Sequence, residues 1–187
     1  MTEVIARKSL LVAVMVAGII LVGCDQSKQP EVLVVPQADM KIESSAFGNN
    51  QSIPTKYTCD GANISPPLKV SDVPEGARSL ILTVDDPDAP AGTFVHWTVR
   101  NIDPATTDIA EGVTPTGATV REGITDFGKS GYGGPCPPSG IHHYQFKLYA
   151  LDTTFDLDSS SSKKDIETAM AGHVLAQSLL VGLYGRK

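Results

Sequence analysis

Gly131-Tyr132-Gly133-Gly134-Pro135-Cys136-Pro137-Pro138-Ser139-Gly140-Ile141-His142-His143-Tyr144-Gln145-Phe146-Lys147-Leu148-Tyr149-Ala150 is the stretch that decides how this chain folds. Its first half is dense in glycine and proline, which preclude a regular helix, and glycine lets the backbone approach a ligand and turn N–H groups toward negative charge. Its second half alternates in a way that predicts a strand over 142–151, with His142 and Tyr144 on the same face as Phe146 and Leu148. Two hydrogen-bonding side chains therefore stand at the loop end of an otherwise apolar face, which is the composition of an anion pocket.

Working outward, alternation rich in β-branched residues predicts further strands over 41–47, 79–86 and 94–101, separated by segments dense in proline and glycine. One helix is predicted over 163–180, capped by Ser162 with Asp165 in its first turn. Ile166, Ala169, Met170, His173, Val174, Gln177 and Leu180 share helical spacing, so this stripe is expected to pack on a sheet, with His173 a core residue. The expected class is mainly β, closed by a C-terminal helix.

The chain has 187 residues. Arg7 and Lys8 precede an apolar run over 10–22 that ends in Leu21-Val22-Gly23-Cys24 and resembles a bacterial lipoprotein signal. That apolar core is shorter than the roughly 20 residues a membrane-spanning helix needs. The expectation is a signal peptide over 1–23 and, by resemblance, a Cys24 that becomes the acylated, palmitate-bearing N-terminus anchored in a membrane on the extracytoplasmic side of the cell envelope. Asp25 resembles the signal that keeps such proteins at the inner membrane. An uncleaved anchor helix is the alternative.

Residues 24–38 read as a lipidated cysteine and flexible tether reaching at most about 45 Å. Residues 39–187 are left for one folded domain, too few for two. The formal charge is -6. Loss of Glu3, Arg7 and Lys8 with the signal removes a net +1 and leaves the mature form at -7, so nucleic acid is not an expected partner.

With Cys24 committed to lipid, Cys59 and Cys136 remain. An even pair in an oxidising compartment points to a disulfide, and two buried free thiols are the alternative. Their separation excludes a CxxC metal knuckle, and no HExxH motif occurs, so neither metal nor cofactor is expected.

A second constellation lies upstream. The strand Leu80-Ile81-Leu82-Thr83-Val84-Asp85-Asp86 runs into Pro87-Asp88-Ala89-Pro90, with Asp86 in phase with Leu80, Leu82 and Val84; His96-Trp97 follows within the next strand. With Gly133-Gly134-Pro135 and Gly140-Ile141-His142-His143-Tyr144, these motifs resemble the phosphatidylethanolamine-binding protein (PEBP) family. Tyr57-Thr58-Cys59-Asp60-Gly61, Ser65-Pro66-Pro67-Leu68 and Ala169-Met170-Ala171-Gly172-His173-Val174 resemble its bacterial and archaeal Raf kinase inhibitor-like branch. Val70 stands where many bacterial relatives carry tryptophan, a difference expected to alter packing rather than binding.

The resemblance implies a PEBP-like fold of two packed antiparallel β-sheets and a pocket for phosphate or a phospholipid head group lined by Asp86, Asp88, His96, Gly134, His142 and Tyr144. Backbone N–H groups near Gly134, the His142 imidazole and the Tyr144 hydroxyl are the expected donors to phosphate oxygens. Asp86 would orient an imidazole or meet an ammonium, and Trp97 is either a core residue or the wall for that cation. Alternation sets His96 on the face opposite Val95, Trp97 and Val99, an objection that weakens if both faces are covered. His143 points away and is given no role.

Bland alternatives stand beside each residue. Asp86-Pro87-Asp88-Ala89-Pro90 alone is an ordinary turn, and His142 alone is more often a structural histidine. Gly123-Ile124-Thr125-Asp126-Phe127-Gly128-Lys129-Ser130 satisfies GxxxxGK[ST], but a phosphate-binding P-loop starts a helix and Gly131-Tyr132-Gly133-Gly134-Pro135 follows instead.

The function expected is a non-enzymatic, lipid-anchored binding module that also modulates a partner protein of unknown identity. The alternatives are an inhibitor of an envelope or secreted protease or kinase, and a phosphoester hydrolase using the same Asp/His pocket. Ser130 lacks the second glycine of a nucleophile elbow, which argues against a serine hydrolase.

Overall fold

The structure, a computed structural model, describes residues 39–186; the expected signal peptide, Cys24 and tether lie outside the described residues. Nine strands and one α-helix follow in order, with a short 3-10 turn at Thr55–Tyr57: β1 (Lys41–Glu43), β2 (Gln51–Ser52), β3 (Leu68–Ser71), β4 (Ser79–Asp86), β5 (Phe94–Ile102), β6 (Asp108–Ile109), β7 (Arg121–Glu122), β8 (Ile141–Leu151), α1 (Lys163–Met170) and β9 (Val174–Gly185). A three-stranded sheet, β1-β3-β6, packs on a six-stranded sheet, β2-β9-β8-β4-β5-β7. This is the mainly β, two-sheet architecture expected. The pairings are antiparallel apart from the short parallel contact of β2 with β9.

Period-two alternation builds the core. From β4, Leu80, Leu82 and Val84 point between the sheets, where they meet Trp97, Val99 and Ile102 of β5, Phe146 and Leu148 of β8, and Leu68 and Val70 of the small sheet. Each fully buried aliphatic side chain there contributes about 1.5–3 kcal/mol of hydrophobic transfer energy. The opposite face of β4 is covered as well, Ile81 joining Leu151, Ile166 and Met170 in a second apolar cluster beneath α1. All eight residues of β4 are consequently buried.

The predicted helix over 163–180 is half correct. Ser162 caps α1 as expected, with a reciprocal capping box to Asp165, but the helix ends at Met170 and the chain turns at Gly172, whose φ of +82° is left-handed. That conformation favours glycine. From Val174 the chain is a strand that pairs with β8 from Ile141↔Gly185 to Leu151↔Val174. The stripe is therefore split: Ile166 and Met170 lie in the cluster beneath α1, whereas Ala176 and Leu180 belong to the core between the sheets. His173 is a correction too, since its side chain is 45% exposed and pairs with Asp152 through Nδ1 at 2.8 Å. In 123–130 the chain forms turns and bends rather than a helix, so the P-loop-like spacing has no phosphate-holding helix start.

Candidate functional site

The site gathers where β4 ends, β8 begins and the loop over 131–140 crosses between them. Asp86 closes β4 in phase with its core-facing residues, and its Oδ2 lies 2.7 Å from Nδ1 of His142. Both side chains are nearly buried, at 4% and 9% exposure. The other carboxylate oxygen of Asp86 accepts the Asp88 backbone N–H at 2.9 Å, so the turn at Pro87 fixes the carboxylate that faces the histidine.

Tyr144, two residues along β8, stacks with its ring centroid 6.5 Å from that of His142. Its hydroxyl is buried and has no hydrogen-bond partner among the described residues. Burial, reinforced by the Asp86 charge, pushes its pKa far up, so it stays a neutral O–H donor. An unpartnered buried hydroxyl costs roughly 1–3 kcal/mol, a cost that a ligand at this position relieves.

His96 reaches the same place by an irregularity. Val84 pairs with Trp97 but Asp85 pairs with Val95, so His96 is the extra residue of a β-bulge. Bulges re-aim side chains, and the His96 ring meets the Tyr144 ring edge-on at 5.2 Å. The objection from strict alternation disappears for this reason. Nδ1 of His96 donates to the Gly133 carbonyl at 2.7 Å, leaving Nε2 as the acceptor of a neutral imidazole. Burial lowers its pKa, against the smaller raising effect of that carbonyl and of Asp86 and Asp85.

Two further expected lining residues are held by bonds within the protein. The Gly134 N–H donates to Oδ1 of Asn63 at 2.7 Å. A Cβ on Gly134 would come 2.5 Å from the Tyr57 carbonyl oxygen and 2.8 Å from Thr58 Cα, so only glycine permits this approach. Asp88 is turned outward: its Oδ2 accepts both the backbone N–H of His143 at 2.8 Å and its Nδ1–H at 2.7 Å. These bonds hold its carboxyl below the usual carboxylate range. His143, given no role from sequence, is thus the partner that fixes the Asp88 carboxylate.

The loop is fastened by several ties. Cys59 and Cys136 are joined by a disulfide with Cα atoms 5.4 Å apart. Cys59 N–H donates to the Pro135 carbonyl at 3.1 Å, and the Tyr132 hydroxyl to the Tyr57 carbonyl at 2.9 Å. Asn63 is the functional residue that sequence reasoning missed, and no local pattern marks it, since its partner lies 71 residues away. Phe94 and Phe127, which wall the His96 ring at 5.2 Å, were missed likewise. Trp97 is core rather than pocket wall, 1% exposed, with Nε1–H donating to Glu122 at 2.8 Å. Among the described residues no cluster of three or more His, Cys, Asp or Glu is placed to hold a metal, and no helix is long and apolar enough to cross a membrane.

A two-sheet β domain with a buried Asp–His pair at one sheet end defines a class of small binding domain, and comparison with known proteins gives the family. The family model described as Phosphatidylethanolamine-binding protein matches residues 43–185. A UPF0098 protein of Pyrococcus horikoshii is 47% identical over 188 residues, covering 96% of this chain and 91% of that protein. A UPF0098 protein of Methanothermobacter thermautotrophicus is 49% identical, covering 79% of this chain and 99% of its own. Among solved structures, a PEBP homologue from Chlamydia trachomatis is 40% identical with a TM-score of 0.75, covering 79% of this chain and 98% of that one. E. coli YbcL, described as a member of the mammalian PEBP family, is 35% identical with a TM-score of 0.75, covering 80% and 100%. This chain belongs to the phosphatidylethanolamine-binding protein family.

Proposed function

We propose that this protein is a lipid-anchored, extracytoplasmic binding module that holds a phosphate-bearing head group beside Asp86, His96, His142 and Tyr144, without turnover. The observation that carries the reading is the buried Tyr144 hydroxyl, an unpartnered donor stacked beside the Asp86–His142 pair. Nδ1 of His142 faces a carboxylate, so Nε2 donates to a phosphate oxygen when the ring is an imidazolium, with Asp86 balancing that charge. Asp86 and the Nε2 acceptor of His96 disfavour a bare dianion and favour a ligand that also brings a cation or proton, as phosphoethanolamine does. The lipid anchor at Cys24 would keep the pocket near a membrane surface, where such head groups are abundant, and the same surface would serve for modulating a partner protein.

Calorimetry of the full chain in mild detergent against phosphate, phosphoethanolamine and short-chain phosphatidylethanolamine tests the reading. Phosphoethanolamine is expected to bind more tightly than phosphate, and Asp86→Ala and His142→Ala to lose both. No heat from well-folded protein overturns the head-group reading. Saturable hydrolysis of generic phosphoesters, abolished in His142→Ala, would replace the module by a hydrolase.

A further inference from the structure

The stretch Val34-Val35-Pro36-Gln37-Ala38, which leads into the folded domain, is apolar and rich in β-branched residues. Pro36 excludes a helix there and biases Val35 toward extended backbone. An extended apolar run of this kind gains by lying against a protein surface.

The chain enters the fold beside such a surface. Asp39, the first described residue, lines a cleft of about 480 Å³ together with Lys147 and Tyr149 of β8 and Gln177 and Leu179 of β9. Tyr149 pairs with Gln177 and Lys147 with Leu179. Leu148 and Leu180 face the core, so period two sets these paired residues on the outer face of the six-stranded sheet. Leu179 is 50% exposed there.

The edge of β9 is open at the same level. Val181 and Leu183 turn their main chain away from β8, their carbonyls accepting the N–H groups of Asn50 and Ile53, each at 2.7 Å. By the same period Gln177 and Leu179 turn theirs to that edge, and among the described residues β2 pairs only with Gly182 and Leu183. An open edge is a template for one more extended segment. Direction agrees as well: the Ile42 N–H donates to Ser178 Oγ at 3.1 Å and Gln51 pairs with Gly182, so the chain travels in the same sense as β9. Residues before Asp39 are thereby delivered to the Gln177 end of the cleft.

We propose that Val34-Val35-Pro36-Gln37-Ala38 docks extended in this cleft, its valines against Leu179 and Tyr149 and its main chain along the open edge at Gln177 and Leu179. Pro36, which has no N–H, takes the outward position that an edge strand tolerates. The dock depends on neither the head-group nor the lipid-anchor reading. Its consequence rests on the second: with Cys24 in a membrane, the free tether shrinks to residues 24–33, which span at most about 33 Å, and the pocket is held nearer the bilayer.

The test treats the full chain in mild detergent with thermolysin and follows cutting at the Val34–Val35 bond by mass spectrometry. Leu179→Asn, at a half-exposed position, is expected to speed that cut about tenfold, because the segment loses its dock. Val35→Asn and Leu179→Asn should each lower the melting temperature by roughly 2–4 °C, and the double variant by no more than the larger single effect, since both remove one contact. Equal cutting rates in the native and Leu179→Asn chains, or additive losses in the double variant, would each overturn the proposal. So would a native chain that sediments as a dimer while Leu179→Asn sediments as a monomer, which would assign the cleft to a second copy.

Discussion

Asp86 and His142 stand 56 residues apart in the chain, yet Oδ2 of one lies 2.7 Å from Nδ1 of the other, at the ends of two strands that pair side by side. The distance follows from register. Asp85 opposes Gln145 at the last pairing of β4 with β8, so Asp86 falls opposite Tyr144, and His142, two residues further along β8 on the same face, is its diagonal neighbour. One consequence concerns Tyr144, whose hydroxyl lies in the space beside that pair.

Tyr144→Phe deletes a buried hydroxyl that lies near the Asp86 carboxylate and has no well-formed hydrogen bond among the described residues. Its removal is expected to leave stability unchanged or raise it by about 1 kcal/mol, while phosphoethanolamine affinity falls about tenfold. Urea unfolding and calorimetry on the same variant separate the two. A large loss of stability would mean that the hydroxyl serves the fold.

Gly134→Ala forces a methyl group against the Tyr57 carbonyl and Thr58. The loop must shift, and Gly133 with it, which pulls the acceptor from His96 Nδ1. A cost of about 1–3 kcal/mol is expected from the overpacking, together with weakened ligand binding. Chemical denaturation and calorimetry check both, and a neutral variant would remove the close approach as the reason for glycine.

The disulfide closes a loop of 77 residues. The chain-entropy relation gives about 4.5 kcal/mol for such a loop, so replacing Cys59 and Cys136 by alanine together should lower the melting temperature by about 10 °C or more. Scanning calorimetry decides, and a drop of only a degree or two would show that the backbone ties alone hold the loop.

Stability should fall as pH drops below 6.5. Burial depresses the His96 pKa below that ordinary imidazole value, so in the window just beneath 6.5 the unfolded chain binds more protons than the folded one. This group's contribution is therefore full above 6.5 and is lost on acidification through the window. Asp88, also depressed from its ordinary 3.8, acts only at more acid pH. Thermal melts from pH 7.5 to 5 should show a shallower slope for His96→Asn than for the native chain; an equal or steeper slope would assign the effect elsewhere.

Much of this was legible in the chain itself. β4 matches its predicted bounds and β5 and β8 fall within a residue of theirs, because period-two alternation and glycine-proline punctuation are local signals. The phases of Asp86, His142 and Tyr144 were readable for the same reason, as was the cap at Ser162. The tail over 171–185 was not. In that apolar stretch the positions Val174, Gln177 and Leu180 satisfy helical spacing while Val174, Ala176 and Leu180 satisfy strand spacing. The deciding partner, β8, contributes a ladder of hydrogen bonds that no local window contains.

The sequence by itself determined the strand periodicity, the charge balance and the residue types gathered at one sheet end. Tertiary structure alone decided where their polar atoms go. It gave the Gly134 N–H to Asn63, bonded Asp88 to His143, and used a bulge to swing His96 toward Tyr144. A hydrogen bond or a bulge depends on the position of a distant partner to within an ångström, and periodicity carries direction without that distance.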